Sequence, residues 1–393
     1  MTVRKKLVSA ALCIVIAQTA LAGHPQFERR DFKLPQEISS VAAIDLNLDD
    51  QLDFVAIGTT QVYGLISPDW KTKLLGDYPG GRFSHAIVID CDQDGDDDLA
   101  VARTTSDWVR YRQALIKGEK PPRPTGVDFS IGWLEVDGSI ENPLRFRTID
   151  TQFDHVFGMT SGDIDQDGMP DLVAGSYAGP FENSIAFYPG HQRQVGNTRS
   201  IVSRGLAKGR LHHLNVADLI AGDELEVIAA ASAAGTIHFW KRDDKSGLWD
   251  SHLIAANLPG ATHPVTGDID GDGRLDIAIS CGHGQGVYWF RGPDWERRTI
   301  DESIEQGHAF SGRDMDNDGD LDFVLGSSET GTLVWYENNG NEQFSRREID
   351  TDTNQPYEDL KLIDINNDGK MDILIAGGPR KNLVWYQQLD RNK

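Results

Sequence analysis

Asp268-Ile269-Asp270-Gly271-Asp272-Gly273-Arg274-Leu275-Asp276 is the most informative stretch of this chain, and it is not alone. Residues 163–171 (DIDQDGMPD), 314–322 (DMDNDGDLD) and 90–98 (DCDQDGDDD) repeat it, and 364–372 (DINNDGKMD) and 45–53 (DLNLDDQLD) are weaker copies. Oxygen side chains stand at positions one, three, five and nine. Five of the six loops have glycine at position six, where the chain must turn sharply. Several oxygens gathered round one point by a tight loop are what a hard cation requires.

Calcium suits an all-oxygen site of flexible geometry better than magnesium does. The expected ligands are Asp45, Asn47, Asp49 and Asp53 in the first loop, and Asp90, Asp92, Asp94 and Asp98 in the second. They continue as Asp163, Asp165, Asp167 and Asp171, then as Asp268, Asp270, Asp272 and Asp276. Asp314, Asp316, Asp318 and Asp322 follow, and Asp364, Asn366, Asp368 and Asp372 end the series. A helix-loop-helix calcium hand is excluded, because its bidentate Glu at position twelve is replaced by Ala174, Ile279 or Leu325. Each loop runs instead into a short apolar segment such as residues 321–325 (LDFVL), which reads as a buried strand. A solvated acidic turn is the plainer alternative. Carboxylates about 4 Å apart repel by ~4 kcal/mol at an effective dielectric near 20, so such turns call for a neutralising cation.

The loops begin at residues 45, 90, 163, 268, 314 and 364. The wide gap between 163 and 268 holds a decayed copy, residues 218–226 (DLIAGDELE), where Ile220 and Gly222 replace ligands. This seventh loop is expected to be empty. Repeats of this length signal propellers or solenoids. Within residues 263–300 four strands are legible, one before the loop, one after it, an aromatic third (residues 287–290, VYWF) and a fourth from Trp295 to Ile300. Four strands per repeat make a propeller blade. The last repeat lacks its fourth strand, and residues 27–32 (FERRDF) have a fourth-strand pattern without a blade. The expectation is an all-β, seven-bladed β-propeller with four-stranded blades, closed by pairing the N-terminal strand with the last blade.

Over residues 27–388 these repeats resemble the FG-GAP/VCBS class of calcium-loop propeller repeats, found in integrin α-subunit heads and many exported bacterial proteins. The resemblance implies the fold and about six calcium ions. It is nearly silent on activity, since such propellers serve as adhesins, lectins, scaffolds and sometimes enzymes.

Residues 1–22 read as a secretory signal: Arg4, Lys5 and Lys6, an apolar run, then Ala20-Leu21-Ala22. Residues 23–393 would then form one domain, secreted or periplasmic, with no membrane span after cleavage. Cys91 and Cys281 lie in different repeats, so a disulfide between them is not expected. The net charge of −23 is largely that of the acidic loops and argues against a nucleic-acid role.

Counting back five residues from each first aspartate gives Ser40, His85, Gly158, His213, His263, Ala309 and Asp359. One place earlier stand His212, His308 and Glu358. With His155 and His283, these should ring the channel on the face opposite the loops. Histidines with acidic neighbours bind zinc or another transition metal, or act as acid and base; holding neighbouring blades together is the plainer role. His85, His213, His263 and His308, with Tyr357 and Arg82, are the catalytic candidates. An insertion at 103–130 in the second repeat should open on the same face. Its residues 107–117 suit a short helix, and Trp108, Tyr111 and Arg112 could form an aromatic, basic lid. Trp289, Trp335 and Trp385 are expected to pack between blades. Two functions fit: a binding module for a glycan or an extracellular or periplasmic protein, or a carbohydrate lyase or dehydratase with its site at the channel top.

Overall fold

The apolar runs flanking the acidic loops become strands, and these pair in sets of four. The computed structural model describes residues 26–389, apart from 105–106, 108–109, 112–113, 116, 123–129, 178–180, 192–193, 197, 205, 207–210, 223, 244 and 353–354. The signal-like segment 1–22, Trp108 and Arg112 lie outside the described residues. Seven antiparallel four-stranded sheets follow one another along the chain, each ordered inner, second, third, outer. The inner strands are Ile38–Ile44, Arg82–Ile89, Val156–Gly162, Leu211–Ala217, His263–Gly267, Gly307–Arg313 and Asp359–Ile363. Each touches the next, and the seventh touches the first, so the blades form a closed ring. Among the described residues no helix is long and apolar enough to cross a membrane.

Blade seven closes as its sequence demands. The strand Gln26–Lys33 lies antiparallel to Asn382–Leu389, with Gln26 opposite Leu389 and Lys33 opposite Asn382. The blade's third strand, Asn382–Leu389, thereby gains the outer neighbour that the final repeat lacks. Arg29 fixes the join: its guanidinium donates to Asp350 Oδ2 at 2.8 Å, Asp352 Oδ2 at 3.1 Å and Gln355 Oε1 at 3.2 Å.

Blades are latched by one recurring contact. A third-strand tyrosine donates its hydroxyl to an aspartate in the preceding blade's outer strand: Tyr188 to Asp150, Tyr336 to Asp301 and Tyr386 to Asp350. An arginine also pairs with each aspartate: Arg199, Arg346 and Arg29 respectively. Trp289, Trp335 and Trp385 are at most 2% exposed and sit in the apolar clusters of the fold. They are core, as their strand positions indicate. Cys91 and Cys281 are buried free thiols.

Blade three departs from the pattern. A two-stranded hairpin, Gly190–His191 with Gln194–Val195, precedes its outer strand Ser200–Ser203. The Val195 N–H bonds back to the Cys91 carbonyl at 2.9 Å, fastening the hairpin to blade two's acidic loop.

Candidate functional site

The acidic loops share one hydrogen-bond scheme. The first aspartate folds the loop over itself: Asp268 Oδ1 accepts from the Asp272 N–H at 3.0 Å and Oδ2 from the Gly273 N–H at 2.9 Å. Asp314 and Asp364 do the same. Position six is left-handed throughout, with φ between 81° and 102° at Gly95, Gly168, Gly273, Gly319 and Gly369. The first loop has Asp50 there, at φ 66°. Position four is a second left-handed turn, held by Gln93, Gln166, Asn317 and Asn367 among others.

The ninth aspartate has a second task. Asp322 Oδ2 accepts from the Met315 N–H at 3.0 Å, and its Oδ1 accepts from the Asn338 N–H at 2.7 Å. Asp53, Asp98, Asp171 and Asp276 repeat both bonds, to loop position two and to the end of the third strand. All are fully buried. Burial pushes their carboxyls up, to about 6 for Asp276 and about 7 for Asp98 and Asp322, because desolvation disfavours the ionised form.

The donor set fits calcium. Carboxylate oxygens from Asp90, Asp92 and Asp94 lie within 4.8 Å of one another, as do those of Asp163, Asp165 and Asp171, of Asp268, Asp270 and Asp272, and of Asp314, Asp316 and Asp322. Asn47 Oδ1, Asp163 Oδ1 and Asp165 Oδ1 are buried without a hydrogen-bond partner, as oxygens reserved for a cation would be. In the fifth loop Arg291 bridges Asp270 at 2.7 Å and Asp272 at 3.2 Å, so a cation there must share or displace it.

The decayed fourth loop carries its own positive charge. Glu226 takes the ninth position and accepts from the Leu219 N–H at 2.8 Å. Lys241, from the third strand, reaches over with Nζ 2.7 Å from Glu224 and 3.9 Å from Glu226. Lys241→Ala should therefore cost less than about 1 kcal/mol, as a half-exposed pair does. Its melting-temperature loss should be equal in calcium and in chelator; a loss confined to chelator would show that this loop binds the ion.

On the opposite face the channel-ringing residues meet as neighbours. Ser40 Oγ donates to Asp359 Oδ2 at 2.6 Å, and Lys361 Nζ to Asp359 Oδ1 at 2.9 Å. Burial acts to push the Asp359 carboxyl up, but Lys361, His85 and Ser40 outweigh it and hold it at about 2. The His85 and His213 rings are 5.3 Å apart, and His213 stacks on His263 at 3.6 Å. His308 lies 5.7 Å from both His263 and His212. Gly158 leaves room for the His212 and His213 backbone, which a Cβ would strike. Burial pushes His213 and His263 well down, and lowers His85 to about 4, so these imidazoles are neutral near pH 7.

His212 and His308 sit at breaks in strand register, between Leu211 and Leu214 and between Gly307 and Ala309. Such bulges re-aim side chains, here towards the channel mouth. Phe157 occupies the matching bulge of blade three.

Beside this cluster opens a cavity of about 1290 Å³. Its floor is Arg82, His85, Phe157, Tyr177, His213 and Glu358. Its roof is the blade-two insertion: Asp107, Arg110, Tyr111, Ala114 and Lys117, then Pro121 and Pro122. Of these, Asp107, Arg110, Tyr111 and Ala114 are helical, and their spacing puts one helical face over the cavity. Arg82 also pairs with Glu37 at 2.8 Å.

The structure therefore brings His85, His213 and Arg82 to one cavity, with His263 stacked behind and His308 further round the channel. Tyr357 is elsewhere: fully buried in the core between blades six and seven, against Gly326, with its phenol pushed up by burial. His155 lies at the rim, with Nδ1 3.2 Å from Asp154 and its ring 5.8 Å from Tyr177. Tyr177 was not foreseen. It follows the second strand of its blade, as His283 does in blade five, and that shared position was the available signal.

Residues 314–375 match the family model of the FG-GAP-like repeat. Propeller-like structures already solved resemble this fold. One similar structure is BBS1N in complex with ARL6DN, soaked with lead: TM-score 0.55, 12% identity, covering 92% of this chain and 95% of that one. Another is described as the extracellular domain of the one component system BT4673 from B. thetaiotaomicron: TM-score 0.52, 12% identity, covering 92% of this chain and 39% of that one. No curated protein matches the sequence. A propeller bearing an FG-GAP-like repeat is, in general terms, an interaction module.

Proposed function

We propose that this is an exported, calcium-stabilised propeller that binds a glycan in the roofed cavity on its histidine-rich face. The cavity carries the reading. Its volume of about 1290 Å³ suits a short oligosaccharide better than a flat protein contact of roughly 800 Å² per partner. Tyr111, Phe157 and Tyr177 offer ring faces to sugar C–H groups, while Arg82, Arg110 and Glu358 offer charged hydrogen-bond partners for hydroxyls or carboxylates. The acidic loops hold calcium on the other face, and the basic-apolar-small pattern of residues 1–22 supports export to a compartment rich in that ion.

A glycan array followed by calorimetry on the purified protein tests this. Tyr111→Ala is expected to weaken binding about tenfold, or ~1.4 kcal/mol, with the melting temperature unchanged. Retention of no glycan, with capture of a protein ligand instead, would replace the glycan by a protein partner.

A lyase or dehydratase is the second reading, favoured by one observation. His85 and His213 are neutral imidazoles on the cavity wall near Arg82, which suits a base and a cationic clamp. Release of an unsaturated product from the bound glycan, lost in His213→Ala, would establish it.

A further inference from the structure

We infer that His212, His283 and His308 form a binding site for one divalent transition-metal ion of the zinc type, on the face opposite the acidic loops. One ring nitrogen from each lies within 4.8 Å of the other two. The residues come from three separate blades. His212 is in the inner-strand bulge of blade four, His308 in that of blade six, and His283 in the turn after blade five's second strand. His212 Nε2 and His283 Nε2 face each other at 2.8 Å. Two imidazole nitrogens on one tetrahedral zinc, each about 2.0–2.1 Å from it, stand about 3.3 Å apart. The observed pair is closer than that, and the third nitrogen lies within 4.8 Å of both, so the three converge on one point.

A histidine–histidine hydrogen bond explains two convergent nitrogens but not three. The donor set also selects the ion. Three neutral imidazoles without carboxylates are poor ligands for calcium and good ones for zinc, cobalt, nickel or copper. The acidic loops have the reverse preference, so the two faces sort the two ion classes. His212 is packed against Phe157 and Tyr177, with ring centres 5.1 and 6.5 Å away, which limits its motion. His283 is exposed and His308 half-buried, so an ion can enter from solvent. Three protein ligands leave a fourth position for water or a ligand atom. Phe157 and Tyr177 also line the neighbouring cavity, which places the ion beside it. The site stands whether or not that cavity takes a glycan.

The test uses the whole protein in millimolar calcium, given one equivalent of zinc or cobalt, desalted, and measured by elemental analysis and visible absorption. One zinc per chain is expected, and cobalt should give the intense d–d bands of a four-coordinate site. His283→Ala and His308→Ala should each weaken zinc binding at least tenfold while leaving the calcium-supported melting temperature unchanged. His252→Ala, outside the cluster, should bind as the parent does. Two variants are used so that misfolding of one does not decide the matter. Failure of the parent to retain zinc, or undiminished retention by both variants, would overturn the site.

Discussion

Removal of calcium with excess chelator is expected to lower the melting temperature by about 10 °C. An ion that binds only the folded state stabilises it by RT ln(1 + [L]/Kd), or ~1.4 kcal/mol per site when calcium exceeds Kd tenfold. Six such loops sum to about 8 kcal/mol. At ~2.1 cal/mol/K per residue, the roughly 335 described residues give an unfolding entropy of about 0.7 kcal/mol/K, and the quotient is a shift on the order of 10 °C. The physical source is visible in the loops: buried carboxyls such as Asp98 and Asp322, raised to about 7, pay for ionisation unless a cation is present. Calorimetry with and without chelator measures the shift, and magnesium, which dehydrates reluctantly, should not restore it. An unchanged melt in chelator would remove calcium from the account of this protein.

Asp322→Ala should destabilise by about 2–6 kcal/mol, and it should do so in chelator as well as in calcium. The substitution strands two buried backbone donors, Met315 N–H and Asn338 N–H, at ~1–3 kcal/mol each. Asp318→Ala is the contrast. Its carboxylate stands at position five, and Oδ1 accepts only from the exposed Asp320 N–H at 3.0 Å. That variant should lose the single-site calcium increment of ~1.4 kcal/mol and almost nothing in chelator. Melting curves for both variants under both conditions separate the roles. If the Asp322→Ala loss vanished in chelator, the ninth aspartate would be a ligand alone.

Repetition made the architecture legible. Six loops of one spacing, a decayed seventh and an orphan strand at 27–32 together specified blade number and closure, and Gln26–Lys33 against Asn382–Leu389 is that closure. What involved contacts between strands distant in sequence was not legible. The lysine that answers the decayed loop, Lys241, comes from the third strand, outside the loop's own pattern. The double duty of the ninth aspartates depends on backbone N–H groups as far off as Val136, thirty-eight residues from Asp98. Counting back from each loop leads to His85, His213 and His263, whose rings are neighbours, since inner strands are equivalent in every blade. Tyr357, named as a candidate beside them, does not join them: it is fully buried in the core between blades six and seven. The convergence of His283 with His212 and His308 needed the bulges, which leave no mark in composition.

Arg29 and Asp350 touch across a sequence separation of 321, and that separation governs how the molecule must assemble. The strand Gln26–Lys33 has no mate until Asn382–Leu389 has been made. Individual blades can form in order, but the circle stays open until Asn382–Leu389 has been made. Docking over so long a loop is entropically slow, so the rate-limiting event in refolding should be this final zippering rather than formation of any single blade.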